Sequence, residues 1–196
     1  MAGAAPFSPR RRDRLDALAA HLRERYQVGM TLRVTVICTH NSRRSHLAQV
    51  WLAHWLATYR IPAEIHSAGT EVTAVYPAIV STLREADFDI RPADSSETDN
   101  PRYLLRLAAD GEPLSLYSKR LDDPALPAFD FTALLVCDGA AEACPVVAGA
   151  EARFVLPFRD PKWSDGTTEM AAAYRTASEE INESMKYLAN RIQQDE

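Results

Sequence analysis

The chain has 196 residues, 25% of them charged and 46% apolar, with a formal net charge of −5. That length suits one domain with additions, and the apolar share is ample for a single core. The acidic balance argues against a general nucleic-acid or membrane-surface role, and no run approaches the roughly 20 apolar residues of a membrane span.

Ser8-Pro9 reads as a helix cap with proline in the first turn, leading into Leu15, Leu18, Leu22 and Tyr26. Residues 1–30 are therefore expected to form an N-terminal helical extension, and 31–196 the main domain. Arg10, Arg11 and Arg12 precede no apolar stretch of a signal peptide, and Asp13 and Asp16 suit a transit peptide poorly, so a cytoplasmic location is expected. The β-branched run 33–37 predicts a first strand. The segment from about Ser45 to Tyr59 carries apolar residues on most faces (Leu47, Val50, Trp51, Leu52, Trp55, Leu56) and predicts a largely buried helix. A second short strand is expected over Ala63–Ser67, then the turn Ala68-Gly69-Thr70 and a helix from about Pro77 to Ala86. Residues 91–130, rich in Asp, Ser and Pro, read as an irregular insertion with an edge strand near Leu114–Tyr117. Further strands are predicted at Thr132–Cys137 and Arg153–Leu156. Met170, Tyr174, Ala177, Ile181, Met185, Leu188 and Ile192 mark a final amphipathic helix, and that stripe reads as core packing. Alternating strands and helices imply an α/β fold, a parallel sheet covered on both faces, with ligands beyond the C-terminal strand ends.

The richest segment is Arg33–Ser45. Its strand delivers Cys38 into a polar loop, Arg44 follows six positions later with Ser45 beside it, and a helix begins at once. Such a loop can turn successive backbone N–H groups inward under the positive end of the helix dipole. Arg44 can clamp two oxygens of a tetrahedral anion with its planar fork, and a cysteine in that field is expected to be held as the thiolate. An isolated strand-end cysteine is more often an inert core thiol. The Cys-x5-Arg-Ser spacing between strand and helix favours a nucleophile acting at phosphorus or arsenic.

The chain has three cysteines, Cys38, Cys137 and Cys144, an odd number that suggests catalytic or redox duty rather than a disulfide framework. Cys137 ends its strand as Cys38 ends the first. Neighbouring strands run about 4.8 Å apart, within the ~4.4–6.8 Å Cα window of a disulfide. Cys144 follows a segment that reads as a short helix, and about 10.5 Å over seven helical residues is too far for a bridge unless that turn unwinds. The spacing thus permits a relay from one pair to the other. Two packing thiols are the plain alternative. No Cys-x2-Cys pair or suitably placed histidine suggests zinc. Displacement at a tetrahedral oxyanion also requires a proton for the leaving oxygen. Asp160-Pro161, on the loop after the last strand, is favoured over Asp123-Pro124 in the insertion, although Asp-Pro also simply begins turns.

Val-Ile-Cys-Thr-His-Asn-Ser-Arg-Arg-Ser-His-Leu, His-Ser-Ala-Gly-Thr-Glu, Val-Cys-Asp-Gly-Ala-Ala-Glu-Ala-Cys-Pro and Phe-Arg-Asp-Pro together resemble the low-molecular-weight protein tyrosine phosphatase superfamily, and within it the thioredoxin-coupled arsenate reductases. The likeness covers about 33–90 and 132–190. It implies a three-layer fold, a four-stranded parallel sheet flanked by helices. It also implies roles: Cys38 attacks arsenate, Arg44 binds its oxygens, Asp160 protonates the departing hydroxide, Cys137 attacks the Cys38 sulfur to release arsenite, and Cys144 takes over the disulfide for a thioredoxin-like reductant. Thr39, His40, Asn41, Ser42, Arg43 and Ser45 would form the oxyanion-binding loop, Ser45 bonding the thiolate, with Asn41 and Ser67 organising it. No tightly bound cofactor or catalytic metal is implied, but members of this branch can bind potassium near the loop, and Asn41 and Ser67 match part of that site. His40 and Arg43 depart from the usual Cys-Thr-Gly-Asn-Ser-Cys-Arg-Ser; Arg43 is expected to add positive charge near the mouth. Three readings follow: an arsenate reductase, a phosphatase in which water resolves the covalent adduct, and an oxyanion- or redox-sensing binding module. The intact Cys, Arg and Asp set disfavours the third.

Overall fold

The computed structural model describes residues 7–93, 98–107, 111–137 and 146–194. The elements in chain order are α1 (Pro9–Gln27), β1 (Leu32–Cys38), α2 (Arg44–Thr58), β2 (Ala63–Gly69), α3 (Pro77–Glu85), β3 (Asp89–Pro92), β4 (Tyr103–Arg106), β5 (Leu114–Leu116), β6 (Phe131–Leu135), β7 (Ala150–Val155), a 3₁₀ turn (Pro161–Ser164) and α4 (Met170–Gln193).

The central sheet has the order β2-β1-β6-β7, with every neighbouring pair parallel. β1 lies inside it, and all of β1 except Arg33 is buried, as is all of β6. Such near-continuous burial belongs to a parallel sheet flanked by helices, the expected architecture. The register sets Ile37 opposite Leu135, and Val136 still donates to the Ile37 carbonyl at 2.9 Å. Cys38 and Cys137 therefore leave adjacent strands at the same sheet edge. β7 starts at Ala150, earlier than the apolar pattern suggests. Gly149 turns the chain into it at φ 78°, where a Cβ would fall 1.9 Å from the Ala128 carbonyl oxygen.

α4 packs on α1, α2 and α3. Two indoles fix α2 against it: Trp51 donates to Ser178 Oγ at 2.9 Å and Trp55 to Asn182 Oδ1 at 2.7 Å. α1, capped by Ser8, buries Leu15, Leu18 and Leu22 in the same core as the sheet. Its Arg11 donates to the Pro157 carbonyl at 2.9 Å and stacks 4.1 Å from the Phe158 ring centroid, touching the loop beyond β7. Among the described residues, no helix is long and apolar enough to cross a membrane.

The expected irregular insertion contains a second sheet, the antiparallel β3-β4-β5, where the sequence suggested a single edge strand near Leu114–Tyr117. Strands of three or four residues are too short to show an alternating pattern. After β5 the chain runs back beside β2. The Gly69 amide donates to the Lys119 carbonyl at 2.8 Å, and Gly69 forms a parallel bridge with Arg120.

Candidate active site

The loop from Thr39 to Arg43 joins β1 to α2 at the C-terminal edge of the sheet, and its carbonyls are all engaged. Thr39 O accepts from the Glu71 amide at 2.9 Å and Thr70 Oγ1 at 3.1 Å. His40 O accepts from Thr73 Oγ1 and Ser118 Oγ, each at 3.0 Å. Asn41 O accepts from His46 Nε2 at 2.8 Å, Ser42 O from the Tyr76 amide at 3.0 Å, and Arg43 O from the His46 and Leu47 amides. Within a planar trans peptide, C=O and N–H point in opposite directions. Carbonyls tied to the 70–76 segment, α2 and the insertion therefore turn the N–H edges toward the interior of the loop, an anion-binding arrangement at a helix N-terminus. Gly69 permits this closeness: a Cβ there would lie 2.7 Å from both Asn41 N and Thr39 O.

Cys38 is 4% exposed, and its sulfur lies 3.1 Å from Ser45 Oγ. Asn41, in the left-handed region at φ 43°, donates Nδ2–H to the same hydroxyl at 2.8 Å. Because Ser45 accepts from Asn41, its own O–H is left to donate to the sulfur. The Asn41 side-chain oxygen accepts the Lys119 amide at 2.7 Å, so the insertion braces the loop from outside.

Arg44 donates through Nη1 to the Phe158 carbonyl at 2.9 Å and through Nη2 to Asp160 Oδ2. Asp160 caps the 3₁₀ turn, its Oδ1 accepting the Lys162 amide at 3.0 Å. Cys38, Arg44 and Asp160 thus line one recess, whose cavity volume is about 10 Å³ with Arg44 and Asp160 in contact. Asp123, the other candidate acid, is engaged elsewhere, accepting from Tyr117 Oη at 3.2 Å and the Ala125 amide at 2.9 Å. Cys137 is buried, and its sulfur lies 3.6 Å from the Thr39 hydroxyl, next to the nucleophile in sequence. Cys144 lies outside the described residues.

Several partners escape sequence reasoning. Arg43 donates through Nε to Tyr174 Oη and through Nη2 to Asp165 Oδ2, both at 2.6 Å, and its guanidinium stacks 4.0 Å from the Tyr76 ring centroid. Burial opposes its charge, yet Tyr174 and Asp165 raise its pKa above the ordinary value. These partners lie 131 and 122 residues away in sequence, with no local signal. His46 is fully buried, and desolvation, with Lys119 adding to it, lowers its pKa to about 3. Its neutral ring donates through Nε2 to the Asn41 carbonyl, so Nδ1 accepts from Ser67 Oγ at 3.2 Å.

Those bonds test the potassium site. Each Asn41 oxygen accepts one protein N–H donor, and Ser67 Oγ donates to His46 Nδ1. Lys119 is also 3% exposed and contributes positive charge toward His46. Among the described residues, no group of three or more His, Cys, Asp and Glu side chains could hold a metal.

No family model matches the chain. In sequence it is similar to an arsenate reductase of Halalkalibacterium halodurans, 29% identical over 154 residues that span 78% of this chain and 91% of the relative. An arsenate reductase of Bacillus subtilis is 27% identical over the same shares. In structure it is similar to an arsenate reductase in a phosphate-binding state, with a TM-score of 0.56 at 16% identity, covering 83% of this chain and 99% of that one. A low-molecular-weight protein tyrosine phosphatase from Bacillus subtilis gives a TM-score of 0.57 at 16% identity, covering 84% and 99%. At these identities the structural likenesses show the fold.

Proposed function

We propose that this chain, a member of the low-molecular-weight protein tyrosine phosphatase superfamily with arsenate reductases among its sequence relatives, is an enzyme that reduces arsenate to arsenite. The observation that carries the reading is Cys38, bonded by Ser45, within a loop whose carbonyls from Thr39 to Arg43 are all tied outward opposite Arg44 and Asp160. In this reading the Cys38 thiolate forms a bond to arsenic and a hydroxide departs, protonated by Asp160 to water. Arg44 and the loop N–H groups carry the oxyanion charge. Cys137, deprotonated, then attacks the Cys38 sulfur. The S–As bond breaks with its electron pair going to arsenic, so arsenic(V) leaves as arsenite, and two thiols have become one disulfide. Cys144 displaces Cys38 to give a Cys137–Cys144 disulfide, which an external dithiol of the thioredoxin kind returns to thiols.

The parallel departure of β1 and β6 supports the first exchange, because it sets Cys38 and Cys137 on neighbouring strand ends. A second reading, phosphomonoester hydrolysis by water attack on a phosphocysteine, uses the same Cys38, Arg44 and Asp160. In that reading Trp163, three residues after Asp160 and 53% exposed, is the aromatic side chain offered to an aryl leaving group.

Turnover of arsenate by the full chain with thioredoxin and its reductase separates the readings. Reduction that is abolished over multiple turnovers in Cys144→Ser, with p-nitrophenyl phosphate hydrolysis unchanged and a Cys137–Cys144 disulfide found by mass mapping, is the expected result. Absence of arsenate reduction, alongside phosphatase activity indifferent to Cys137→Ser, would overturn it in favour of the hydrolase.

A further inference from the structure

The consecutive arginines of the loop grip opposite ends of one turn. Arg44 holds Asp160, which opens the Pro161–Ser164 turn, and Arg43 holds Asp165, which closes it. The two grips differ. Arg44 meets a carboxylate whose side chain is 40% exposed. Arg43 and Asp165 are 14% and 22% exposed, and Tyr174, completely buried, closes a ring of three hydrogen bonds: Arg43 Nε to Tyr174 Oη, Tyr174 Oη to Asp165 Oδ1, and Arg43 Nη2 to Asp165 Oδ2, each 2.6 Å.

The first grip faces the incoming anion, because Arg44 and Asp160 line the recess at Cys38. The Arg44 fork in that recess is already in part spent on Asp160. A tetrahedral oxyanion bound beside Cys38 therefore competes with Asp160 for the Arg44 fork. With the fork on the anion the acid loses its main charged partner, yet it must stay over the site to protonate the leaving oxygen. We infer that Arg43 is a positioning residue for Asp160: its ring with Asp165 and Tyr174 keeps the acid-bearing turn docked while Arg44 is occupied by the substrate. This rests on the oxyanion cradle of the proposed function, but on neither choice of reductase or phosphatase. A lysine at 43 would keep the charge but could not span Tyr174 and Asp165 with one planar group.

Hydrogen exchange of the Lys162, Asp165 and Thr167 amides, which hold the turn together, tests this in the full chain with and without saturating sulfate. In the native chain they stay protected in both states. In Arg43→Met, and in Asp165→Asn should the first variant fold poorly, exchange rises at least tenfold with sulfate bound and less than twofold without it, with Arg43→Lys in between. Equal loss of protection in both states would mean a purely structural role and overturn the inference, as would no change in either. Failure of sulfate to bind the native chain is seen separately, before any variant is compared; it sinks the cradle reading and this inference with it.

Discussion

The Lys119 amide donates to the side-chain oxygen of Asn41 at 2.7 Å, across 78 residues of sequence, and so ties the insertion to the loop that carries the nucleophile. The same Asn41 donates to Ser45, which faces Cys38. The insertion thereby holds one end of a short chain of bonds that finishes at the Cys38 sulfur.

Replacing Asn41 by alanine leaves a buried backbone N–H unpaired, at about 1–3 kcal/mol. It also loses the local polar contacts that let asparagine adopt φ 43° more readily than alanine, roughly 1 kcal/mol more. Urea denaturation of Asn41→Ala should therefore show a loss of about 2–4 kcal/mol, and arsenite formation should slow as well. Native-like stability would mean the loop does not depend on this brace.

Ser45→Ala removes the O–H that faces Cys38. Hydrogen bonds to charged groups are worth about 1.5–3 kcal/mol, equivalent to roughly ten- to hundredfold in rate if the bond is stronger to the thiolate. Single-turnover arsenate reduction should fall by that factor. Cys38→Ser should abolish it, and any surviving turnover would remove Cys38 from the role of nucleophile.

Asp160→Asn keeps an acceptor for the Lys162 amide, so the cap and the fold should survive. General-acid assistance is typically worth about 10²–10⁴ in rate, and single-turnover reduction should fall within that range. Among aryl phosphates the loss should be larger for phenyl phosphate than for p-nitrophenyl phosphate, whose leaving group needs less help. Equal losses on both would assign Asp160 to binding.

His46 gives stability a pH dependence. Burial lowers its folded pKa to about 3, while the unfolded chain titrates near 6.5. Between these values the unfolded state binds the extra proton, so stability is full above about pH 6.5 and declines as pH falls toward 3, by up to roughly 1.4 kcal/mol per unit. Burial lowers the pKa values of His54 and His66 in the same direction. Urea midpoints between pH 7.5 and 5 should drop in the native chain and drop less in His46→Gln; parallel curves would exclude His46 as the source.

The parts of this fold that were legible in the sequence are those written in local periodicity. α4 announced itself through its apolar stripe, and β1 through a β-branched run ending at Cys38. What stayed hidden depends on distant pairing. Tyr174 sits in that stripe and reads as core, which its ring is, but its hydroxyl serves Arg43. The expectation that Arg43 adds charge near the mouth had no view of Asp165. Lys119 and Ser118 carry no motif either, because their bonds to Asn41 and His40 come from where the insertion passes rather than from residue spacing.

The opening helix has a bearing on the recess at Cys38. Arg11 grips the Pro157 carbonyl and covers the Phe158 ring, while the carbonyl of Phe158 receives Arg44. Trimming the first thirty residues to obtain a minimal catalytic unit would therefore strip support from the guanidinium that is expected to meet the substrate. Weakened anion affinity would accompany the exposed core, so the shortened protein would be a poor proxy for the intact one.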